Sequence, residues 1–578
     1  LLKAELREVV PLLALGEQIE KHQSSIARKC LKELRRQKPE LDSLFPRNLA
    51  ASVYCQVFSL LKNEIITPDT LRNSDGRSQF LDLVARTVTF SPWLDPFRTL
   101  PGAEVKARQV LSGLLALYSC YWQQMRRDHR MDFDDQKLIA YLTLLQHPQM
   151  AEVIQSRYDA VIVDEFQDIN RLDFEFIKVI AARASLVVVG DDDQAIYGFR
   201  GCSPRYIIDF EALSSRPTET FKLEVNYRSP RNIVDLSQKL IAHNSVRVPK
   251  SSSCPASAPT ADIELWHSMN GASEAQVIAK SIKKIVSESA GRVTYGDIAV
   301  LFRINSQSLP LQLSLIMSEI PYYCRKEDNI LLSEAMERIL RLVHIHLALI
   351  QGVGFTVAED AEALYESYFR WHFRANSELF LRLSRQKGGF LRAAVELEAK
   401  DSRWRGFAEA IAGLAEPRSP IGTIEYVAET FKNLRGLIGD LQEAIEGHVP
   451  LGELIDIARR FKGTTAEFHE RLSDLTRKAQ QGFFATGEED GVNLLTYFRA
   501  KGRQWHTVIL PGANQRVIPD RRAPIEDERR LFYVAVTRPT ANLIISYVRH
   551  AVREAVTPSQ FLTEMGLGDG RERRASTI

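Results

Sequence analysis

The chain alternates between two kinds of hydrophobic pattern. From residue 1 to about 150, apolar positions recur every three or four residues, as in LLKAELREVVPLLAL and VLSGLLALYSCYWQQM, which predicts helix after helix. From 159 to 235 the pattern changes to short β-branched runs followed by amphipathic stretches. DAVIVDEF, SLVVVGDDD and FKLEVNYRS each predict a buried strand that ends in polar residues. Parallel strands of an α/β sheet have this form, with their chemistry at the carboxyl ends. The stretch Lys250 to Thr260, rich in Ser, Pro and Ala, reads as a linker. Strand–helix alternation resumes from Ile263 to about 345, gives way to helices from 346 to 488, and returns from 491 to 547. The expectation is two α/β units with parallel sheets, each carrying a helical insertion.

Composition changes this picture little. A chain of 578 residues has room for about three to five domains. The formal charge of +2 neither selects nor excludes nucleic acid, because a basic groove can be balanced by acidic outer faces. Cys30, Cys55, Cys120, Cys202, Cys254 and Cys324 are scattered without a C-x-x-C pair, which argues against a zinc site or a disulfide framework and fits a reducing cytosol. The apolar stretch around Leu342 to Phe355 is interrupted by histidines and too short to span a bilayer, and LLKAELREVV does not read as a secretory signal. A cytoplasmic protein that makes no use of a membrane is expected.

The candidate chemistry sits where strands end. In VIVDEFQDIN, Asp164 and Glu165 follow four apolar residues. A carboxylate there can hold Mg²⁺, and its neighbour can orient and deprotonate an attacking water. An acidic pair alone is more often a solvated loop start, but the whole string D-E-F-Q-D resembles motif II of superfamily 1 helicases. In VVVGDDDQAIYGFRG, the Gln194 amide can both donate and accept at a γ-phosphate. Tyr197, Phe199 and Arg200 place two rings and a guanidinium together, equipment for stacking a single-stranded base and gripping its phosphate. Read alone, the rings serve equally well as core aromatics. The string resembles motif III. In LEVNYRSP, which resembles motif IV, Tyr227 offers a flat ring for an adenine and Arg228 a fork for phosphate oxygens.

The order of motifs continues, and it resembles DNA helicases of the UvrD/Rep/PcrA type. AVLFRINSQSLPLQLSLIMSEIPYY is similar to the first strand–helix unit of a second motor domain, and GVNLLTYFRAKGRQWHTVILPG resembles motif V, with Thr496, Lys501 and Gly502 in matching places. EDERRLFYVAVTRPTANLIIS resembles motif VI, where Arg538 would be an arginine finger supplied in cis, an element that can matter by about three to five powers of ten. TPSQFLTEMG and the upstream MDFDDQKLIAYL also fit the family, although Asp132, Asp134 and Asp135 receive no catalytic role, since acidic residues are favourable at a helix start. VELEAK at Val395 to Lys400, the nearest nuclease-like string, reads as an ordinary amphipathic helix.

The resemblance implies two RecA-like motor domains with two helical accessory insertions. The expected division is accessory 1–130, first motor domain 131–250, second motor domain 251–345 and 489–565, second accessory domain 346–488, and a tail 566–578. It implies ATP and Mg²⁺ as cofactors, with Glu165, Gln194, Arg228 and Arg538 in catalysis, Asp164 on the metal, and Tyr227 and Gln504 on the nucleotide. Tyr197, Phe199, Arg200, Thr496 and Lys501 would meet DNA. It further implies single-stranded or partly duplex DNA as substrate, 3′ to 5′ travel, and a possible nuclease or repair or defence subunit as partner. The motor does not choose among repair, recombination, plasmid replication and defence against phage.

Three departures bear on this. Phe498 stands where the family has a histidine, Gln504 where a glutamate helps hold the nucleotide sugar, and Pro539 follows the proposed finger. The dipeptide Gly-Lys occurs nowhere in the chain, so the phosphate-binding loop G-x-x-x-x-G-K-[ST] is absent from these residues. Because so many residues that serve a triphosphate are present, the loop is expected on a segment ahead of Leu1. The alternatives are a degenerate motor that serves as a DNA-binding or scaffolding subunit, and the helicase part of a helicase–nuclease system.

Overall fold

A computed structural model describes residues 18–19, 23–40, 51–86, 103–325, 329–351, 360, 364, 382, 389–400, 406–431, 449–480, 487–521, 523–551, 554–567 and 572–574. The chain forms two compact units. The first gathers Leu1–Leu223, His243–Lys250 and Arg521–Leu531; the second gathers Glu224–Ala242, Ser251–Asp520 and Phe532–Ile578. Among the described residues no helix is long and apolar enough to cross a membrane.

The first unit begins with helices α1 (Gln23–Gln37), α2 (Ala51–Asn63), α3 (Ala103–Arg127) and α4 (Phe133–Gln146). The core shared by α1, α2 and α3 is largely aliphatic and includes Tyr54, Phe58, Tyr118 and Tyr121. Phe58 stacks on Tyr118 with ring centres 5.0 Å apart, and pairs of this kind add about 0.5–1.5 kcal/mol beyond area burial. Asp132 caps α4 in a reciprocal box, accepting the Asp135 N–H at 2.8 Å while Asp135 accepts the Asp132 N–H at 3.1 Å. The sequence marks only that helix start. The structure adds Lys62, whose fully buried ammonium lies 2.5 Å from Asp132 and 2.8 Å from Asp135. Burial works against its charge, but Asp135 and Asp132 outweigh burial and raise the lysine pKa.

Two parallel strands follow, β1 (Ala160–Val163) and β2 (Ser185–Val188), with α5 (Arg171–Ile180) between them. The expectation of buried strands needs correction here. Ile162 is 72% exposed, and Val187 and Val189 are also exposed, so this sheet has an uncovered apolar face. The third predicted strand, FKLEVNYRS, is extended chain rather than a ladder, with one bridge from Val225 to Ser253. Phe221, Leu223, Val225 and Tyr227 alternate along it and are all exposed.

The second unit is built on a seven-stranded sheet. In chain order its elements are α6 (Arg231–Ile241), β3 (Asp262–Ser268), α7 (Gly271–Glu288), β4 (Ile298–Phe302), α8 (Leu309–Met317) and β5 (Tyr322–Tyr323), then β6 (Val492–Thr496) and β7 (Trp505–Leu510). Helix α9 (Ile525–Val536) contributes its first residues to the first unit and the rest to the second, followed by β8 (Pro539–Val548) and β9 (Glu572–Arg574). The strand order is β9-β3-β8-β7-β4-β6-β5, parallel throughout. All five residues of β4 are buried, the continuous apolar run expected of a strand covered on both faces. Residues 572–574, expected in a tail, instead add an edge strand beside β3.

Between β5 and β6 the described chain is helical, as the sequence predicts for this region, and includes Glu334–Gln351, Phe407–Leu414, Pro420–Thr430 and Thr465–Gln480. VELEAK lies on the helix Gly389–Lys400, with Leu397 buried, Val395 exposed and an ordinary Arg392–Glu396 pair of 3.2 Å.

Candidate functional site

The site in the first unit grows from the end of β1. Beyond Val163 the ladder continues for one more rung on each side: the Val189 N–H donates to the Val163 carbonyl at 2.8 Å, and the Phe166 N–H to the Val189 carbonyl at 2.9 Å. Between these rungs Glu165 takes a left-handed conformation with φ 53°. That costs an L-residue roughly 1–2 kcal/mol and persists where the surroundings hold it. Phe166 supplies the hold: it is fully buried and meets the Phe210 ring edge-on at 5.3 Å. The apolar residue thus anchors the turn, while Asp164 and Glu165 remain exposed.

Gln167 lies within the D-E-F-Q-D string, whose sequence alone gives it no role. It is 1% exposed, and it joins the two strand ends. Its Nε2 donates to Glu165 Oε2 at 2.5 Å, and its Oε1 accepts the Asp191 N–H at 3.0 Å. Gly190 makes room for it, since a Cβ there would lie 2.4 Å from Gln167 Oε1 and 2.8 Å from Ile207 Cδ1. The proposed catalytic carboxylate is therefore positioned by a side chain that also fixes the start of the Gln194 loop.

That loop runs through a short turn, Asp192–Gln194, in which Gln194 Nε2 donates to Asp191 Oδ2 at 2.6 Å. Asp191, Asp192 and Asp193 bring carboxylate oxygens within 4.8 Å of one another. The chain supplies the counter-charge itself: Lys250 lies 2.5 Å from Asp191 and 2.6 Å from Asp192, and Arg247 lies 2.7 Å from Asp193. Asp164 is different. It is exposed, and its Oδ1 accepts the Glu165 N–H at 2.8 Å. Carboxylate oxygen at a strand end is the hard donor that Mg²⁺ takes, so Asp164 fits the ion the sequence implied.

Three of the five residues expected to meet DNA, Tyr197, Phe199 and Arg200, are together. Arg200 lies over both rings, 5.2 Å from the centre of Tyr197 and 5.5 Å from that of Phe199, and the rings are 6.0 Å apart. Asn63, at the end of α2, donates to the Arg200 carbonyl at 3.3 Å, tying the helical part to this loop. Burial raises the Tyr197 hydroxyl above its ordinary pKa.

In the second unit, Asn226 organises Tyr227 and Arg228. Its Oδ1 accepts the N–H groups of Arg228 and Ser229, each at 2.9 Å, an Asx turn that leads into α6. Tyr227 is 82% exposed, a flat ring open to a ligand. Thr496 closes β6 and Lys501 follows a short turn; Gln504 is exposed. Phe498, the substitute for a histidine, is covered by Arg303 at 5.4 Å, an aromatic–cation contact that sequence reasoning did not see because the two residues are far apart in the chain. Arg538 is 3% exposed. It donates to the Val534 carbonyl at 2.7 Å, Thr537 Oγ1 at 2.8 Å and the Arg503 carbonyl at 3.2 Å, bonds it would have to exchange to reach a phosphate. Arg529 and Arg530, on α9, are buried.

An open pocket of about 430 Å³ in the helical part of the second unit is lined by His344, His469, Arg341 and Asp360, none of them a motif residue.

Comparison with known proteins identifies the family of the chain. The family model described as UvrD/REP helicase N-terminal domain matches residues 6–214, and that of the UvrD-like helicase C-terminal domain matches 221–347 and 422–550. The chain is similar to ATP-dependent DNA helicase PcrA of Staphylococcus epidermidis, 28% identical over 498 residues, covering 81% of this chain and 66% of that protein. It is 28% identical over 492 residues to DNA helicase II of Haemophilus influenzae, covering 78% of this chain and 64% of the relative. With PcrA of Staphylococcus aureus it shares 27% over 533 residues, 86% of this chain and 70% of the relative. The chain thus spans about two thirds of the length of the relatives it matches.

Proposed function

The chain belongs to the UvrD/Rep helicase family, and from that premise we propose that it is the larger part of an ATP-driven motor that travels 3′ to 5′ along single-stranded DNA and opens duplexes. The observation that carries this reading is the Gln167 bridge, which fixes the acidic pair at the end of β1 and the Gln194 loop as one constellation. Glu165 orients and deprotonates the attacking water, and Gln194 monitors the terminal phosphate. Mg²⁺ held at Asp164 would neutralise charge on the phosphates. Arg228 and Arg538 are the cations for the transferring group, and Tyr227 is the adenine platform. Tyr197, Phe199 and Arg200 hold the strand, with Thr496 and Lys501 as further contacts.

The phosphate-binding loop belongs to this reading as well. Parallel sheets are covered on both faces, yet Ile162, Val187 and Val189 leave the β1–β2 sheet open. A strand–loop–helix segment carrying G-x-x-x-x-G-K-[ST] would cover such a face and supply what the sequence lacks.

ATP hydrolysis by the intact gene product, with and without single-stranded DNA, tests the proposal. Turnover stimulated by DNA is expected, and Glu165→Gln should abolish it while nucleotide still binds. A Glu165→Gln protein with wild-type turnover would remove Glu165 from catalysis. In a second reading the protein is a degenerate motor that binds DNA as a scaffold, for which the intact gene product would fail to bind nucleotide at all.

A further inference from the structure

We infer that Lys250, together with Arg247, is the positioning residue for Gln194: the strap His243–Lys250 clamps the Asp191–Asp193 turn and so sets where the glutamine amide points. The inference rests on the helicase reading only for what Gln194 does, not for the clamp itself.

Three consecutive carboxylates in a tight turn repel one another, and the turn closes only if cations lie among them. Both cations come from one short strap of chain. Lys250 Nζ donates to Asp191 Oδ1 at 2.5 Å and Asp192 Oδ1 at 2.6 Å, and it lies 3.2 Å from Asp193. Arg247 takes Asp193 with two parallel bonds, Nε to Oδ1 at 3.0 Å and Nη2 to Oδ2 at 2.7 Å, the fork geometry that fixes direction as well as charge. The Val248 N–H adds a bond to Asp192 Oδ2 at 2.8 Å.

Asp191 is the point of transmission. One of its oxygens takes Lys250, while the other accepts the Gln194 amide at 2.6 Å. Burial works against the Asp191 charge, but Lys250 outweighs burial and holds the carboxyl below its ordinary range, so it stays an acceptor. The strap is fixed in turn by the first turns of α9. Glu526 accepts the Ser245 N–H at 2.8 Å and its hydroxyl at 2.6 Å, Arg529 donates to Asn244 at 2.6 Å, and Arg530 donates to the Val246 carbonyl at 2.5 Å. A set of polar contacts therefore runs from α9 to the strap and from Lys250 through Asp191 to Gln194, and Lys250 is the last residue of the strap in it. The sequence shows these residues only as the edge of a linker.

The test compares Lys250→Met and Lys250→Arg in the intact protein by amide hydrogen exchange and by ATP kinetics. With Lys250→Met, exchange in the turns Asp192–Gln194 and Gly198–Arg200 should rise about tenfold or more while α5 and β2 stay unchanged. The turnover rate should fall about 10- to 100-fold with little change in KM, and Lys250→Arg should restore both readouts. Wild-type exchange in the Met variant would overturn the clamp. Raised exchange with an unchanged turnover rate would overturn the positioning of Gln194. A wild-type protein without ATP turnover would count against the helicase reading instead, and exchange alone would then decide the clamp.

Discussion

Gln167 accepts the backbone N–H of Asp191 at 3.0 Å, so a side chain from the end of one strand fixes the loop that leaves its neighbour. The other end of the same amide holds Glu165 at 2.5 Å. A single residue thus determines the distance between the proposed base and the loop of the proposed phosphate sensor.

Gln167→Leu should therefore cut ATP turnover by about 10- to 100-fold, the loss of one buried bond to a charged group together with an orphaned partner. Gln167→Glu should be no better, because a carboxylate cannot donate to Glu165. Steady-state kinetics of both variants, beside a melting curve that shows an intact fold, check this. A Gln167→Leu protein with wild-type turnover would leave the bridge without a catalytic consequence.

Lys62 should matter to stability more than any surface charge. Its ammonium is fully buried between Asp132 and Asp135, with the Tyr121 hydroxyl donating to Asp132 at 3.0 Å. Lys62→Met strands two carboxylates in the core, at a cost of about 3–5 kcal/mol. Adding Asp132→Asn and Asp135→Asn should recover much of that loss. Urea denaturation of the single and triple variants measures it, and equal destabilisation in both would mean that packing, not charge, decides.

The two units differ in how far sequence could read them. Helix and strand spacing marked the all-parallel sheet of the second unit, because β4 and its neighbours are covered on both faces and show continuous apolar runs. The same kind of run misled at Ile162, Val187 and Leu223, where apolar strands meet solvent; a pattern encodes what a strand is built to bury, not what covers it. The motif strings name Glu165, Gln194 and Phe199 as candidates but give no role to their supports. Lys62 and Lys250 are ordinary residues whose partners lie elsewhere in the fold, and Gln167 joins a near neighbour to a distant loop, a link that no local spacing announces.

Glu274 offers a pH readout for the second unit. It is buried on α7, and its Oε1 accepts the Ser546 hydroxyl at 2.6 Å and the Gly512 N–H at 3.1 Å. Burial outweighs these bonds and raises its carboxyl above the ordinary value. A raised acid favours the fold while protonated, so its contribution is complete below the unfolded value of about 4.3 and is lost as pH rises through the folded value. Glu274→Gln keeps both accepted bonds without a charge. The variant should match wild type near pH 4 and melt higher at pH 8, and a difference that does not vary with pH would show that folding leaves the Glu274 carboxyl unshifted.

The loop Tyr197–Arg200 separates core packing from DNA contact. Arg200 is exposed and Phe199 half-buried, so both can exchange their mutual contact for a base and a phosphate, whereas Ile196 beside them is buried. Stacking on one aromatic is worth about 1–3 kcal/mol per base. Phe199→Ala should therefore weaken single-stranded DNA binding by about 5- to 150-fold at fixed salt and reduce DNA-stimulated ATP hydrolysis more than the basal rate. Arg200→Ala should instead flatten the salt dependence of binding, since it removes a phosphate contact. Fluorescence anisotropy across a salt series distinguishes the two. If Phe199→Ala lowers basal and stimulated rates equally and leaves DNA affinity unchanged, the ring belongs to the core and another surface holds the strand.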